Sequence, residues 1–293
     1  MKKVIVLCGP TASGKSDLAI KVANHFKGSS IINADSVSIY SNLNIGAAKP
    51  DREQLRQAQH LLFDICEFPT RYTIFDYQQD ARRVIEESEV PILVGGSGLY
   101  IKAAIDNYEL PAEDEIYEKF IEECLEKTNE EIFDKLIQVN SEIITKTHIN
   151  NRQRNIRYLY NSLNKRLSIK KSTNYYDYII VYLDIPKEIL KQRLKVRLDK
   201  QLNDGFIKEV EELIAKQVFP NQVGYKELVN FLRNKNTMML NDIKDEIIKN
   251  SLRLAKKQKT WFKNQFNCIS LDALDSKLID KMIEIVEEFL EES

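Results

Sequence analysis

Gly9-Pro10-Thr11-Ala12-Ser13-Gly14-Lys15-Ser16 brings two glycines, a lysine and a hydroxyl together at a spacing suited to a phosphate ligand. Gly9 and Gly14 permit backbone conformations that turn successive N–H groups toward one point, and the helix that follows offers its positive end to the same anion. Lys15 adds a full charge and Ser16 a hydroxyl able to ligate a metal. The loop specifies a polyphosphate ligand and leaves the reaction open. In Asn33-Ala34-Asp35-Ser36-Val37-Ser38-Ile39-Tyr40 a carboxylate follows a strand, where ligands sit in open α/β sheets. Asp35 could orient magnesium, accept a proton from a nucleophile, or cap the next turn. In Val94-Gly95-Gly96-Ser97-Gly98-Leu99-Tyr100 the glycines let backbone and the Ser97 hydroxyl approach an anionic ligand.

Elements that deliver these groups are legible in the pattern. Short β-rich runs at Val4 to Cys8, Ser30 to Ala34, Val90 to Val94 and Tyr178 to Asp184 alternate with helical patterns such as Asp17 to Phe26 and Tyr77 to Glu87. That rhythm predicts an α/β fold: a phosphate-loop NTPase-like parallel sheet with crossover helices. Between Pro111 and about Tyr176 the strand signal gives way to amphipathic patterns in Asp114 to Lys127, Asn129 to Val139 and Asn151 to Leu163, an inserted helical lobe. Asn164 to Tyr176, polar and rich in Lys, Ser and Asn, reads as a loop back into the sheet. The division is therefore residues 1–110, first part of the core; 111–176, lobe; and 177–293, second part of the core and C-terminal helices. In that last part Lys187 to Lys216 and Ile243 to Phe266 read as long helices, and Ile279 to Leu290 as a terminal amphipathic one.

With 293 residues and 43% hydrophobic content the chain can bury a substantial core. The net charge of −1 argues against wholesale basic-surface binding but permits a local basic cleft. Cys8, Cys66, Cys124 and Cys268 lack metal-ligand spacing and read as buried thiols. Neither a secretory signal nor a transmembrane run is present, so a cytoplasmic location is expected, with no membrane and no obligate protein partner.

Taken in order, residues 9–16, Asp35-Ser36, Gly46-Ala47-Ala48-Lys49-Pro50, His60 to Asp64, Gly95 to Tyr100, Gln153-Arg154-Asn155-Ile156-Arg157, Leu183 to Pro186, Arg193 with Arg197, Gly224 to Glu227 and Leu254 to Phe262 resemble the tRNA dimethylallyltransferase family. The resemblance covers nearly the whole chain. It implies transfer of a dimethylallyl group from dimethylallyl diphosphate to the exocyclic amine of an adenine beside the anticodon in a tRNA stem-loop, with Mg²⁺ at Ser16. The loop would then hold a leaving diphosphate. By the same resemblance Asp35 takes the amine proton, Ser97 keeps a hydroxyl near the reacting groups where the family usually has Thr, and Arg197 lies near the diphosphate. Asp35 to Ser38 and Gln153 to Arg157 would contact the tRNA, with Lys256, Lys257 and Lys259 extending that surface.

Arg193, one turn before Arg197, reads as part of a solvated basic stripe, and Trp261 as core. Ser38 departs from the family's Asp-Ser-x-Gln pattern and lacks the amide that could pair with adenine. Ala47, Leu61 and Tyr158 also replace the usual residues. Three other readings are compatible with parts of the pattern: a prenyltransferase acting on free adenine nucleotides, a noncatalytic RNA-binding paralogue, and a nucleotide kinase.

Overall fold

The computed structural model describes residues 1–108, 115–164, 170–234 and 239–292. Its strands are β1 (Lys3–Cys8), β2 (Ser29–Asn33), β3 (Gln59–Leu61), β4 (Val90–Gly95), β5 (Asp106–Tyr108), β6 (Lys170–Asn174), β7 (Asp177–Asp184) and β8 (Ile269–Asp272). Helices α1 (Lys15–His25), α2 (Arg52–Gln57), α3 (Ile74–Glu87), α4 (Gly98–Ile105), α5 (Glu115–Leu125), α6 (Asn129–Val139), α7 (Arg152–Leu163), α8 (Lys187–Asn203), α9 (Phe206–Ala215), α10 (Tyr225–Arg233), α11 (Leu240–Gln265) and α12 (Leu278–Glu291) complete the chain.

Six strands form one sheet in the order β3-β2-β4-β1-β7-β8, and every pairing in it is parallel. This matches the fold class expected from the sequence. β1 is apolar on both faces because both are covered, as parallel sheets require. Val4, Val6 and Cys8 pack with Leu93 and Phe262 on one side. Ile5 and Leu7 pack with Leu18, Val22, Val286 and Phe289 on the other. Cys8 lies in register with Gly95 of β4 and Tyr182 of β7, so the loops leaving β1 and β4 start level with one another while β7 runs two residues further, to Asp184. β1 is also where the chain turns from one half of the sheet to the other, the position at which open α/β sheets hold ligands.

Two compact units are present, Met1–Asp106 with Tyr175–Ser293, and Asn107–Asn174. The second carries α5, α6 and α7 around its own core of Tyr117, Cys124, Ile132, Leu136, Ile143, Ile156, Leu159 and Tyr160. Thr128 starts α6 with a capping box to Glu131.

Two expectations are corrected. The polar stretch expected as a loop from Asn164 to Tyr176 contains strand β6, whose pairing with β5 supplies what its composition lacks. Residues 165–169 of that stretch, and the expected lobe start at Pro111 to Asp114, lie outside the described residues. The helical run from Lys187 to Lys216 is divided between α8 and α9 at Asp204-Gly205, where Gly205 takes a φ of 103° in the left-handed region glycine favours. Among the described residues no helix is long and apolar enough to cross a membrane.

Candidate active site

β1 delivers the phosphate loop, and Gly9 shows why its sequence is constrained. Its φ is +149°, and a β-carbon there would lie 2.9 Å from the Leu183 carbonyl oxygen. Gly14, at φ +97°, turns the chain into α1. Lys15 folds back so that its Nζ donates to the Pro10 carbonyl at 2.9 Å. Loss of solvation pushes its pKa down to about 8; neighbouring Arg197 adds to the fall, while Asp35 opposes it. Ser13 is buried, and its Oγ finds no partner among the described residues. A buried, unsatisfied hydroxyl inside a cationic loop favours a ligand that can accept its hydrogen.

α8 lays two arginines over this loop. Arg193, expected in solvent, is half-buried and its Nη1 donates to the Ser13 carbonyl at 3.2 Å. Arg197 reaches the Ala47 carbonyl at 3.4 Å through Nη2. Burial lowers the Arg197 pKa, and Asp35 counteracts that effect.

Asp35 follows β2, where the Asn33 side chain fixes the turn. Asn33 Oδ1 accepts from the Asp35 N–H at 2.9 Å, and Asn33 Nδ2 donates to the Asp35 carbonyl at 3.1 Å and the Leu62 carbonyl at 3.0 Å. Asp35 Oδ1 accepts from the Val37 N–H at 2.9 Å, so the carboxylate caps its turn while lining the site. Ser97 Oγ accepts from the Ser36 N–H at 3.0 Å and donates to Ser36 Oγ at 3.2 Å. The Ser97 hydroxyl therefore ties the loop after β4 to the Asp35 turn.

Two cavities meet here. One of about 650 Å³ is lined by the loop from Thr11 to Ser16 with Asp35, Ser38, Arg193 and Arg197. The other, of about 420 Å³, is lined by Asp35, Ser36, Val37, Ser97 and Arg197, and by apolar side chains including Leu198 and Phe206. Thr11, Asp35, Ala47 and Arg197 border both. A cationic chamber and a more apolar one thus share a carboxylate and a guanidinium at their junction, which suits a displacement whose leaving group is an anion.

The residues of α7 belong to the second unit. Gln153 and Arg154 are exposed, and Arg154 Nε and Nη2 donate to Tyr158 Oη at 3.1 and 3.0 Å. The Arg157 guanidinium lies 3.8 Å from the Tyr117 ring centroid. Asn155 and Ile156 are instead buried. Asn155 Nδ2 donates to the His148 and Ile149 carbonyls at 3.0 and 3.1 Å, and its Oδ1 accepts from Thr147 Oγ1 at 2.8 Å. These bonds commit Asn155 to the unit's interior.

Reading the sequence missed how α11 grips the site. Gln258 Nε2 donates to the Gly96 carbonyl at 3.0 Å, and Lys259 pairs with both Asp184 oxygens at 2.6 Å. Lys259, expected at an RNA surface, is thereby engaged beside β7. Trp261 packs over Gly98, where a β-carbon would come within 2.1 Å of its ring. The 3.6-residue pattern identifies the helix but not the loops these side chains meet.

The family model described as IPP transferase matches residues 38–265. A tRNA dimethylallyltransferase of Acholeplasma laidlawii is 37% identical over 294 residues, covering 99% of each chain. The crystal structure of the full-length tRNA isopentenylpyrophosphate transferase from Bacillus halodurans aligns with a TM-score of 0.73 at 28% identity, over 99% of this chain and 97% of that one. A eukaryotic dimethylallyltransferase acting on tRNA shares the fold, with a TM-score of 0.83 at 24% identity over 99% of this chain and 80% of its own. Placed beside the phosphate loop, the shared carboxylate and the paired arginines, these matches establish that the chain belongs to the IPP transferase family.

Proposed function

We propose that the protein transfers a dimethylallyl group from dimethylallyl diphosphate to the exocyclic amine of an adenine adjacent to a tRNA anticodon, releasing diphosphate. One observation carries the reading: Asp35 and Arg197 border both the cationic cavity and the more apolar one. The diphosphate belongs in the first, against the loop N–H groups and Lys15. The allylic carbon meets the amine at the junction. The amine lone pair forms the new C–N bond, the C–O bond breaks with its electrons leaving on diphosphate, and Asp35 takes the amine proton. Lys15 and Arg197 oppose the charge that develops on the departing oxygen.

The Ser16 hydroxyl is a hard oxygen donor that fits Mg²⁺ alongside diphosphate oxygens. Bound there, the ion would neutralise leaving-group charge. Ser97 acts as the tether of the Asp35 turn. In the lobe, we assign Gln153, Arg154 and Arg157 to the anticodon stem-loop, where guanidinium groups can pair with phosphates or stack on splayed bases. In this reading residues 1–110 and 177–293 form the catalytic core, and residues 111–176 the recognition lobe. We assign the reaction to the cytoplasm, where a tRNA pool is available.

Mass spectrometry of nucleosides after incubation with dimethylallyl diphosphate and an anticodon stem-loop, or separately AMP, tests this function. A dimethylallylated adenosine in the RNA is expected. Modification of AMP alone would replace it with the free-nucleotide reading, and no product with either would reject transfer.

A further inference from the structure

Residues 46–48 form a wall between the two cavities, with Gly46 and Ala47 facing the smaller and Ala47 and Ala48 the larger, and residues 44–45 lead into it. The segment is turn and coil, so its backbone donors are not paired in a ladder. The Ala48 N–H turns back to the Ile45 carbonyl at 3.1 Å, and one carboxylate takes the three donors before it, at Asn44, Ile45 and Gly46. Glu209 of α9 accepts at Oε2 from the Asn44 and Ile45 N–H groups at 3.0 and 2.8 Å. Its Oε1 accepts from the Gly46 N–H at 3.1 Å and from Tyr225 Oη at 2.7 Å. Hydrogen bonds to an ionised acceptor are roughly twice as strong as neutral ones. On the other side of the wall, the Ala47 carbonyl receives Arg197 Nη2.

We propose that Glu209 is a positioning residue for prenyl transfer: by fixing Asn44 to Gly46 it sets the Ala47 carbonyl that aims Arg197 at the leaving diphosphate. The proposal rests on the functional reading above. Glu209 lines neither cavity among the described residues, so its effect passes through the wall. A carboxylate serving only general stability would affect the rate by the same factor whether or not Arg197 is present. One acting through Arg197 would not.

Single-turnover transfer to an anticodon stem-loop, at saturating donor, separates the two. Glu209→Ala is expected to slow transfer about 30-fold, with donor affinity changed less than about threefold, because misplacement costs mainly the transition state. In an Arg197→Lys background the same change is expected to cost less than about threefold, the non-additivity of residues acting as a unit. Amide exchange at Asn44, Ile45 and Gly46 should accelerate in Glu209→Ala. Equal losses in both backgrounds, a wild-type rate, or unchanged amide protection would overturn the proposal. Should Glu209→Ala fail to fold, Tyr225→Phe removes one bond to Glu209 and keeps the ring against Gly46. It should slow transfer about threefold in the wild type and not in Arg197→Lys, and equal effects would overturn the proposal. Failure of the wild type itself to modify the stem-loop would reject the functional reading, whereas the exchange measurement would still decide the clamp.

Discussion

Arginine serves differently in the two units. Arg197 in the core is desolvated, and burial pulls its pKa down. Arg154 in α7 is exposed and hydrogen-bonded to Tyr158, while Arg157 rests on the Tyr117 ring. A charge held without water is costly before the ligand arrives and interacts strongly once it does; an exposed charge beside an aromatic surface is inexpensive and weakly directional. Under the proposed function, the core is therefore suited to stabilising charge that appears during reaction, and α7 to recognising charge already present on a polyanion.

The sharpest test of that division removes the group at the cavity junction. Asp35→Asn should lower transfer about 10³-fold while leaving donor binding near wild type, because an amide keeps the shape and loses the proton acceptor. Single-turnover kinetics and donor titration measure the two effects, and comparable losses in both would deny Asp35 the proton. Lys15→Met should weaken dimethylallyl diphosphate binding about 100-fold, since a fixed cation in the water-poor loop is lost. The same substitution should stabilise the empty protein. Because the native pKa is about 8 against an ordinary 10.5, the unfolded chain binds the proton more tightly. The resulting penalty of about 3 kcal/mol is fully present below pH 8 and disappears as pH rises toward 10.5. A thermal midpoint for Lys15→Met no higher than wild type at pH 7 would contradict a desolvated ammonium.

Replacing Arg154 and Arg157 together with Gln addresses the lobe alone. Stem-loop affinity should fall about tenfold and the salt slope by about 1 to 2, with donor affinity unchanged. A change in donor binding would blur the division of labour. The smallest effect concerns pH. Donor affinity of the wild type should decline severalfold as pH rises through about 8, and binding above that pH should take up a proton at Lys15. Calorimetry in buffers of different ionisation enthalpy measures the uptake, and none at pH 9 would exclude recharging of Lys15.

The phosphate loop and sheet were readable because their signals are local: an apolar run, glycines at fixed offsets, and a helix directly after Lys15-Ser16. Asp35 was recognisable as a candidate because it follows a strand end. Arg193 was misread because the stretch around it is rich in Lys and Arg, while only the packed structure carries it to the Ser13 carbonyl. Glu209 was invisible for a related reason. Its partners at Asn44 to Gly46 lie far away in sequence, and nothing around Phe206 to Ala215 distinguishes one glutamate from the next. Asn155 shows the converse: a polar residue within a motif that the fold commits to its interior. β6 escaped detection because its composition is that of a loop and its identity comes from pairing.

The pairing of β1 has a consequence for how the chain is made. One side of this strand, buried from Val4 to Cys8, is covered by β4, ending at Gly95, but the other must wait for β7, where Tyr182 meets Cys8. At about 5–20 residues per second, a ribosome needs on the order of 4–17 seconds to pass from the first partner to the second. For that interval an apolar edge with unpaired N–H and carbonyl groups stays open, a template for pairing with the wrong strand. The intervening residues include the second unit, whose own core can form while the edge waits. Slowing synthesis before β7 would therefore favour aggregation of the nascent chain, and chaperone occupancy should peak before residue 182 emerges.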